Sequence, residues 1–294
     1  MTSHKVRFGI LLVGFLAALS TYPCEEAKDT SRLAIAGGSL TEIVYLFELE
    51  NLIVAVDTTS LYPDSAQDFP SIGYVRALST EGILSTAPTL LLIEDDAGPP
   101  HVLQQLENLE LDIRTVPEVQ TTAGIIEKVD CVASILGVSE ETQQLVRASL
   151  ESEIARLDGT QKALQEVEAA VIFGINDGIP TVGGLETAGN SILTMIGVKN
   201  VFSTLSGWKP VSLESMVKAN PQVLVLPQRA LNDASGQELI IQSKSIRMTS
   251  AGKDERYVVV DTMALLGFGP RTLKTAADVA EKIIEMINET KESS

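Results

Sequence analysis

Tyr74 and Arg76 stand two residues apart in Gly73-Tyr74-Val75-Arg76, in a chain whose aromatic content is only 4%. A guanidinium beside a phenol favours the phenolate, because a nearby positive charge stabilises the deprotonated oxygen. Proteins use a phenolate to ligate haem iron. Gly73 frees the backbone for a special turn ahead of the ring. The bland alternative is a packed ring with its hydroxyl at the surface, and the residues alone leave the two readings about even.

Other side chains narrow the chemistry. The only histidines are His4 and His101, and His101 reads as a solvated residue on the first turn of a helix begun by Pro99-Pro100. A His-rich zinc or manganese site is therefore excluded, and no Cys cluster replaces it. Glu94, Asp95 and Asp96 are adjacent acids able to do acid–base work, although an acidic turn ahead of Gly98-Pro99-Pro100 is the simpler reading. The chain has no G-x-S-x-G elbow and no P-loop, and "GGLETAG" lacks the dinucleotide-binding glycine spacing. Arg229 follows the apolar run "QVLVLPQ", Lys209 adjoins Trp208, and Arg271 begins a terminal helix. Arg76 and Arg229 fall in loops at strand ends, where a carboxylate-bearing ligand finds bidentate partners.

The formal net charge of -17 over 294 residues excludes a general nucleic-acid binder, which needs Lys and Arg to neutralise phosphates. With 45% hydrophobic residues, the composition is globular and the length is that of about two domains. Residues 1–23 read as an export signal: Lys5 and Arg7, the apolar block "FGILLVGFLAAL", then the small-x-small site Ala18-Leu19-Ser20. Cys24 raises the alternative of a lipid anchor, but Thr21-Tyr22-Pro23 ahead of it fits poorly where small residues are wanted. A Cys24–Cys131 bridge is arithmetically possible. The helical setting of Cys131 favours a buried free thiol instead.

These residues must be positioned by alternating strands and helices. "LAIA", "NLIVAVD", "PTLLLIE" and "DIRTVP" read as buried strands, with helices at "GGSLTEIVYLF", "PPHVLQQLENL" and "TTAGIIEKVDCVASILG". Ser39 is the expected cap of the first helix, with Glu42 completing a capping box. The alternation predicts mainly parallel sheets covered on both faces. Residues 139–167 lack proline and predict one long helix, with Asp158-Gly159 as a place to bend. The alternation then restarts. "STEGILSTAPTLLLI" matches "SLESMVKANPQVLVL", pairing Ser79 with Ser212, Glu81 with Glu214 and Pro88 with Pro221, and setting Tyr74 opposite Trp208. One long period repeated once means two like lobes. The expected fold is α/β: Rossmann-like lobes at 32–138 and 168–290, joined by a single long helix at 139–167. The ligand cleft lies between them, at the strand C-termini. "TKESS" is expected to be a frayed tail.

From Arg32 to about Asn288 the chain resembles the periplasmic haem-binding proteins of bacterial haem ABC importers. More broadly it is similar to the helical-backbone substrate-binding proteins that carry cobalamin and ferric siderophores. The stretches that carry the resemblance are "GGSLTEIVYLF", "VAVDTTSLYP", "IGYVRALSTEGILSTAPTLLL", "EDDAGPP", "SGWKPVSLESM" and "LLGFGPRT". It implies that Tyr74 is the axial ligand to the iron of haem b (hemin). Arg76, Arg229, Trp208 and Lys209 would contact the haem or its propionates. Glu81 and Glu214 would dock on arginines of an inner-membrane ABC permease with its ATPase, and an outer-membrane haem receptor system is a further implied partner. Asn176 and Asp177 stand where some members carry a His, and Trp208 where a Tyr is common, so the second lobe is expected to supply a wall and no iron ligand. The resemblance implies an exported, non-enzymatic carrier. The rivals are a siderophore or cobalamin carrier on the same fold, an α/β-cleft enzyme using Glu94, Asp95 and Asp96, and a scaffold module with no small ligand.

Overall fold

The computed structural model describes residues 24–228 and 243–292. The first lobe is a four-stranded parallel sheet in the order β2-β1-β5-β6, built from β1 (Leu33–Ala36), β2 (Ile53–Val56), β5 (Leu90–Glu94) and β6 (Asp112–Val116). Between β2 and β5 the chain makes a small hairpin, β3 (Gly73–Tyr74) and β4 (Ala77–Leu78), and then the short helix α2 (Thr80–Leu84). Helices α1 (Gly38–Leu46), α3 (Pro100–Asn108) and α4 (Thr122–Ile135) cover the sheet. Side chains alternate across a strand, so each strand feeds two cores. Leu33, Ile35, Leu90 and Leu92 pack with α1 and α4 on one face. Ala34, Ala36, Leu91 and Ile93 pack with the hairpin, α2 and α3 on the other. Each fully buried Leu or Ile contributes about 1.5–3 kcal/mol.

Helix α5 (Glu140–Leu164) leads to the second lobe as one unbroken element of 25 residues, and Gly159 does not interrupt it. That lobe holds β7 (Glu168–Asn176), β8 (Ile179–Gly183), β9 (Lys199–Asn200), β10 (Trp208–Pro210), β11 (Val223–Pro227) and β12 (Tyr257–Val260). Its helices are α6 (Ala188–Ile196), α7 (Leu213–Ala219), α8 (Lys244–Arg247), α9 (Ser250–Lys253), α10 (Thr262–Leu266) and α11 (Pro270–Glu292). The sheet order is β10-β8-β7-β11-β12. Strands β7, β11 and β12 are parallel, but β7-β8-β10 is antiparallel. This flank departs from the expected parallel alternation. Its cause is the turn Asp177-Gly178, with φ of 50° and 77°, which suits a tight two-residue hairpin.

The repeat has a structural counterpart. Ser79 and Ser212 each cap a short helix, accepting from the backbone N–H of Gly82 at 3.0 Å and of Ser215 at 3.1 Å. Ala87 and Asn220 both adopt φ 46° immediately before the paired prolines, so both chains enter their strands through the same turn.

Three expectations need correction. Helix α1 starts at Gly38 with Gly37 before it, and Ser39 lies inside the helix without a capping bond. The turn is too tight for any side chain there: a Cβ on Gly37 would sit 2.7 Å from the Glu94 carboxyl, and one on Gly38 would sit 2.4 Å from the Thr59 carbonyl. Ser39 and Glu42 are thereby free to bond elsewhere. Secondly, Cys131 is not a free thiol. It forms a disulfide with Cys24, Cα to Cα 4.9 Å, because the segment after residue 23 folds back along α4. Thirdly, the expected frayed tail is still helical to Glu292.

The seam between the lobes is extensively packed. Leu150, Leu157 and Leu164 of α5 share one core with Leu273, Ala277, Ala280 and Ile283 of α11, with Val132 of α4 and with Ile192 of α6. Arg156 on α5 grips Asp278 and Glu281 on α11. Such close packing favours small lobe displacements over wide hinge closure.

Candidate functional site

The β3–β4 hairpin is held from beneath by Ile72, Val75 and Leu78, all at most 4% exposed. It is tied to the segment after β5 by Gly98 N–H to the Val75 carbonyl and Leu78 N–H to the Gly98 carbonyl, at 2.9 and 2.8 Å. Gly73 adopts φ 94°, a conformation that glycine tolerates best. With Val75 turned inward, Tyr74 and Arg76 face solvent, and the Tyr74 ring is 42% exposed. The packed-ring alternative therefore fails. Arg76 donates from Nη1 to the Tyr74 hydroxyl oxygen at 2.5 Å and from Nη2 to Asp96. Its guanidinium stands 5.8 Å from the ring centroid, beside the oxygen. Partial burial opposes the charge on Arg76, but the Tyr74 hydrogen bond and the Asp96 carboxylate outweigh it and raise its pKa. The result is an exposed phenol oxygen with one permanent cationic donor and a lone pair left for a Lewis acid.

In the second lobe Trp208 lies over two glycines: its ring atoms are 3.0 Å and 2.8 Å from where a Cβ on Gly183 or Gly189 would stand. Phe173 on β7 stacks at a tilt on it, centroids 4.8 Å apart, and is the more open ring at 39% exposed. The sequence reading missed Phe173, whose signal was an aromatic at the outer end of a buried strand. Strand alternation turns Lys209 to the opposite side from Trp208. There it lines a groove of about 670 Å³ with Phe202, Leu205, Val211, Ser215 and Lys218. Arg229 lies outside the described residues. Glu81 and Glu214 are exposed in the first turns of α2 and α7, at equivalent places of the two lobes. His101 is exposed on α3. Arg271 is engaged with Glu42 at 2.6 Å and Asp261 at 3.3 Å, and its guanidinium lies 3.7 Å from the Tyr62 ring centroid.

Two of the three adjacent acids have different partners. Asp96 is paired with Arg76, while Glu94 turns inward and accepts from Ser39 Oγ at 2.6 Å. Beside it, buried Lys128 of α4 donates to Ser39 Oγ and to the Phe268 carbonyl of the other lobe, each at 3.1 Å, and to Glu118. The signal for Lys128 was its place on the apolar face of its helix, three residues after Ile125 and four before Val132. Burial raises the pKa of Glu94 to about 7, against the opposing charge of Lys128 and the Ser39 hydrogen bond. A carboxyl with a raised folded pKa stabilises the fold most below its unfolded value of 4.5, and that contribution is lost as pH rises toward 7. We expect Glu94→Gln to remove a pH dependence of about 3 kcal/mol across that window and to be the more stable variant at pH 8. Urea titrations of both proteins at pH 5 and pH 8 give the difference; an equal change in unfolding free energy between the two pH values for both proteins would refute it. Among the described residues no group of three or more His, Cys, Asp or Glu side chains is arranged to hold a metal ion.

Comparison with known proteins places this geometry in context. The profile of a family described as periplasmic binding protein matches residues 33–263. Among solved structures, the periplasmic heme-binding protein RhuT from Roseiflexus sp. RS-1, in apo form, superposes with a TM-score of 0.81 at 27% identity, covering 88% of this chain and 99% of that one. An uncharacterized ABC transporter substrate-binding lipoprotein, YvrC of Bacillus subtilis, is 23% identical over 260 residues, 87% of this chain and 81% of the relative. A vitamin B12-binding protein of Pectobacterium carotovorum is 24% identical over 225 residues, 75% and 78% of the two chains.

Proposed function

This chain belongs to the periplasmic binding protein family, and on that premise we propose that it is an exported carrier that binds haem and hands it to an ABC permease. The observation that carries the haem reading is the exposed Tyr74 oxygen with Arg76 donating to it. In this reading the Tyr74 oxygen takes one axial position of the ferric iron, and Arg76 donates a hydrogen bond to that oxygen. Phe173 and Trp208 give the second lobe an aromatic wall for the porphyrin face. Lys209, turned toward the groove by α7, is left out of the ligand contacts. The likeness to a heme-binding structure supports this reading.

The vitamin B12-binding relatives favour a second reading, a corrinoid cargo in the same cleft. Titration separates the two. Hemin is expected to give a shifted Soret band at one equivalent or more and to quench the fluorescence of Trp208, the only Trp. Cyanocobalamin and a ferric siderophore are expected to leave that fluorescence unchanged. Quenching by cobalamin without a hemin response would replace haem by the corrinoid.

Glu81 and Glu214 would meet the permease, one on each lobe, as suits a two-fold partner. Glu81 lies on α2 and Glu214 on α7, outside the hairpin and outside the strands that carry Trp208 and Phe173. The double variant Glu81→Lys, Glu214→Lys is therefore expected to titrate hemin normally while permease-dependent uptake falls by about 10-fold or more, because opposed charges at an interface become like charges. Undiminished uptake would remove these residues from the docking surface.

A further inference from the structure

We propose that Cys24 is committed to the disulfide with Cys131 in the exported protein, so that its sulfur carries no lipid. The inference rests on export, which is part of the function proposed above. Three observations carry it. The two sulfurs are bonded, with the Cα atoms at a separation usual for a native bridge. The segment that follows Cys24 is built into the lobe: Ala27 is 8% exposed and its N–H donates to the Ile135 carbonyl at 2.9 Å. Cys131 itself is 3% exposed within the core shared by α4 and α5. Residues 21–23, Thr-Tyr-Pro, also lack the small side chains that precede a lipid-modified Cys.

The chemistry is exclusive. Forming the bridge takes one proton from each thiol and passes two electrons to the disulfide of a dithiol oxidoreductase in the export compartment, which leaves as a dithiol. Lipidation would instead use the Cys24 thiolate to displace the headgroup phosphate from a phospholipid's diacylglyceryl carbon, giving a thioether. One sulfur cannot do both. On this proposal the N-terminal segment is a strap across α4, and the carrier diffuses free of the membrane.

The full chain, expressed with its own N-terminus in a bacterium with both machineries, decides the matter. It is alkylated without reduction, fractionated and digested. The expected result is a Cys24 peptide linked to a Cys131 peptide, two hydrogens lighter than their sum, in the soluble periplasmic fraction. A diacylglyceryl thioether on Cys24 with Cys131 alkylated, in the membrane fraction, would overturn it. Alkylation of both cysteines in a chain that keeps residues 1–23 in the cytoplasm would overturn it too. That outcome would refute export and leave hemin binding by the purified protein to be judged separately.

Discussion

Tyr74→Ala should purify as a folded protein that no longer shifts the Soret band of hemin. The fold survives because the hairpin is anchored by Ile72, Val75 and Leu78, which the substitution leaves in place, whereas Tyr74 is 42% exposed. Exposed substitutions usually change stability by about 0.5 kcal/mol or less. Binding has no such reserve. Losing a partner of a metal ligand already lowers affinity about 10–100-fold, so losing the ligand itself should cost about 100-fold or more. Tyr74→Phe is the sharper test, since it keeps the ring and removes only the oxygen. It should match Tyr74→Ala in the spectrum and wild type in urea unfolding. If Tyr74→Phe kept the wild-type Soret band, the iron would be held elsewhere. Arg76 and Asp96 should act in graded fashion, because Asp96 orients the guanidinium that touches the phenol oxygen.

The pairing of the Tyr74 ring with the Arg76 guanidinium was legible because its elements are local. A Gly, a Tyr and an Arg within four residues fix the hairpin, its turn and the pairing of ring with guanidinium. The repeat was legible for the same reason: Ser79 and Ser212 are caps, and Ala87 and Asn220 precede prolines in the same backbone conformation. What was not legible depends on contacts far apart in the chain. The disulfide closes a separation of 107 residues, and no local pattern records that the segment after residue 23 returns to α4. Ser39 carried a valid capping pattern, yet the close approach of Glu94 and Thr59 to the two glycines moved the helix start and turned that side chain into the seam. Phe173 follows four buried residues of β7, and the β7–β8 register is irregular between Ile172 and Gly174, at this 39% exposed ring.

Lys128→Met should be the most destabilising single change considered. Lys128 is 1% exposed, and its ammonium satisfies Ser39 Oγ, Glu118 and the Phe268 carbonyl at once. Its charge also opposes the burial that raises the pKa of both Glu94 and Glu118. Removing one partner of such a buried cluster leaves carboxylates without compensation, at a cost of about 3–5 kcal/mol. That is a large fraction of the roughly 5–15 kcal/mol that holds a domain together. The loss should depend on pH in a definite direction. Without Lys128 the two carboxyls bind protons still more tightly in the folded state, so the penalty is small at pH 5 and full at pH 8. Urea unfolding at both values reads this directly, and a deficit below about 1 kcal/mol at pH 8 would contradict it. Adding Glu118→Gln should restore part of the loss, since a neutral pair leaves less charge to desolvate. Because the Phe268 carbonyl belongs to the second lobe, the same variant tests the seam. If the lobes are held as one packed unit, Lys128→Met should also raise hydrogen exchange on both sides of it, in α4 and at the start of α11.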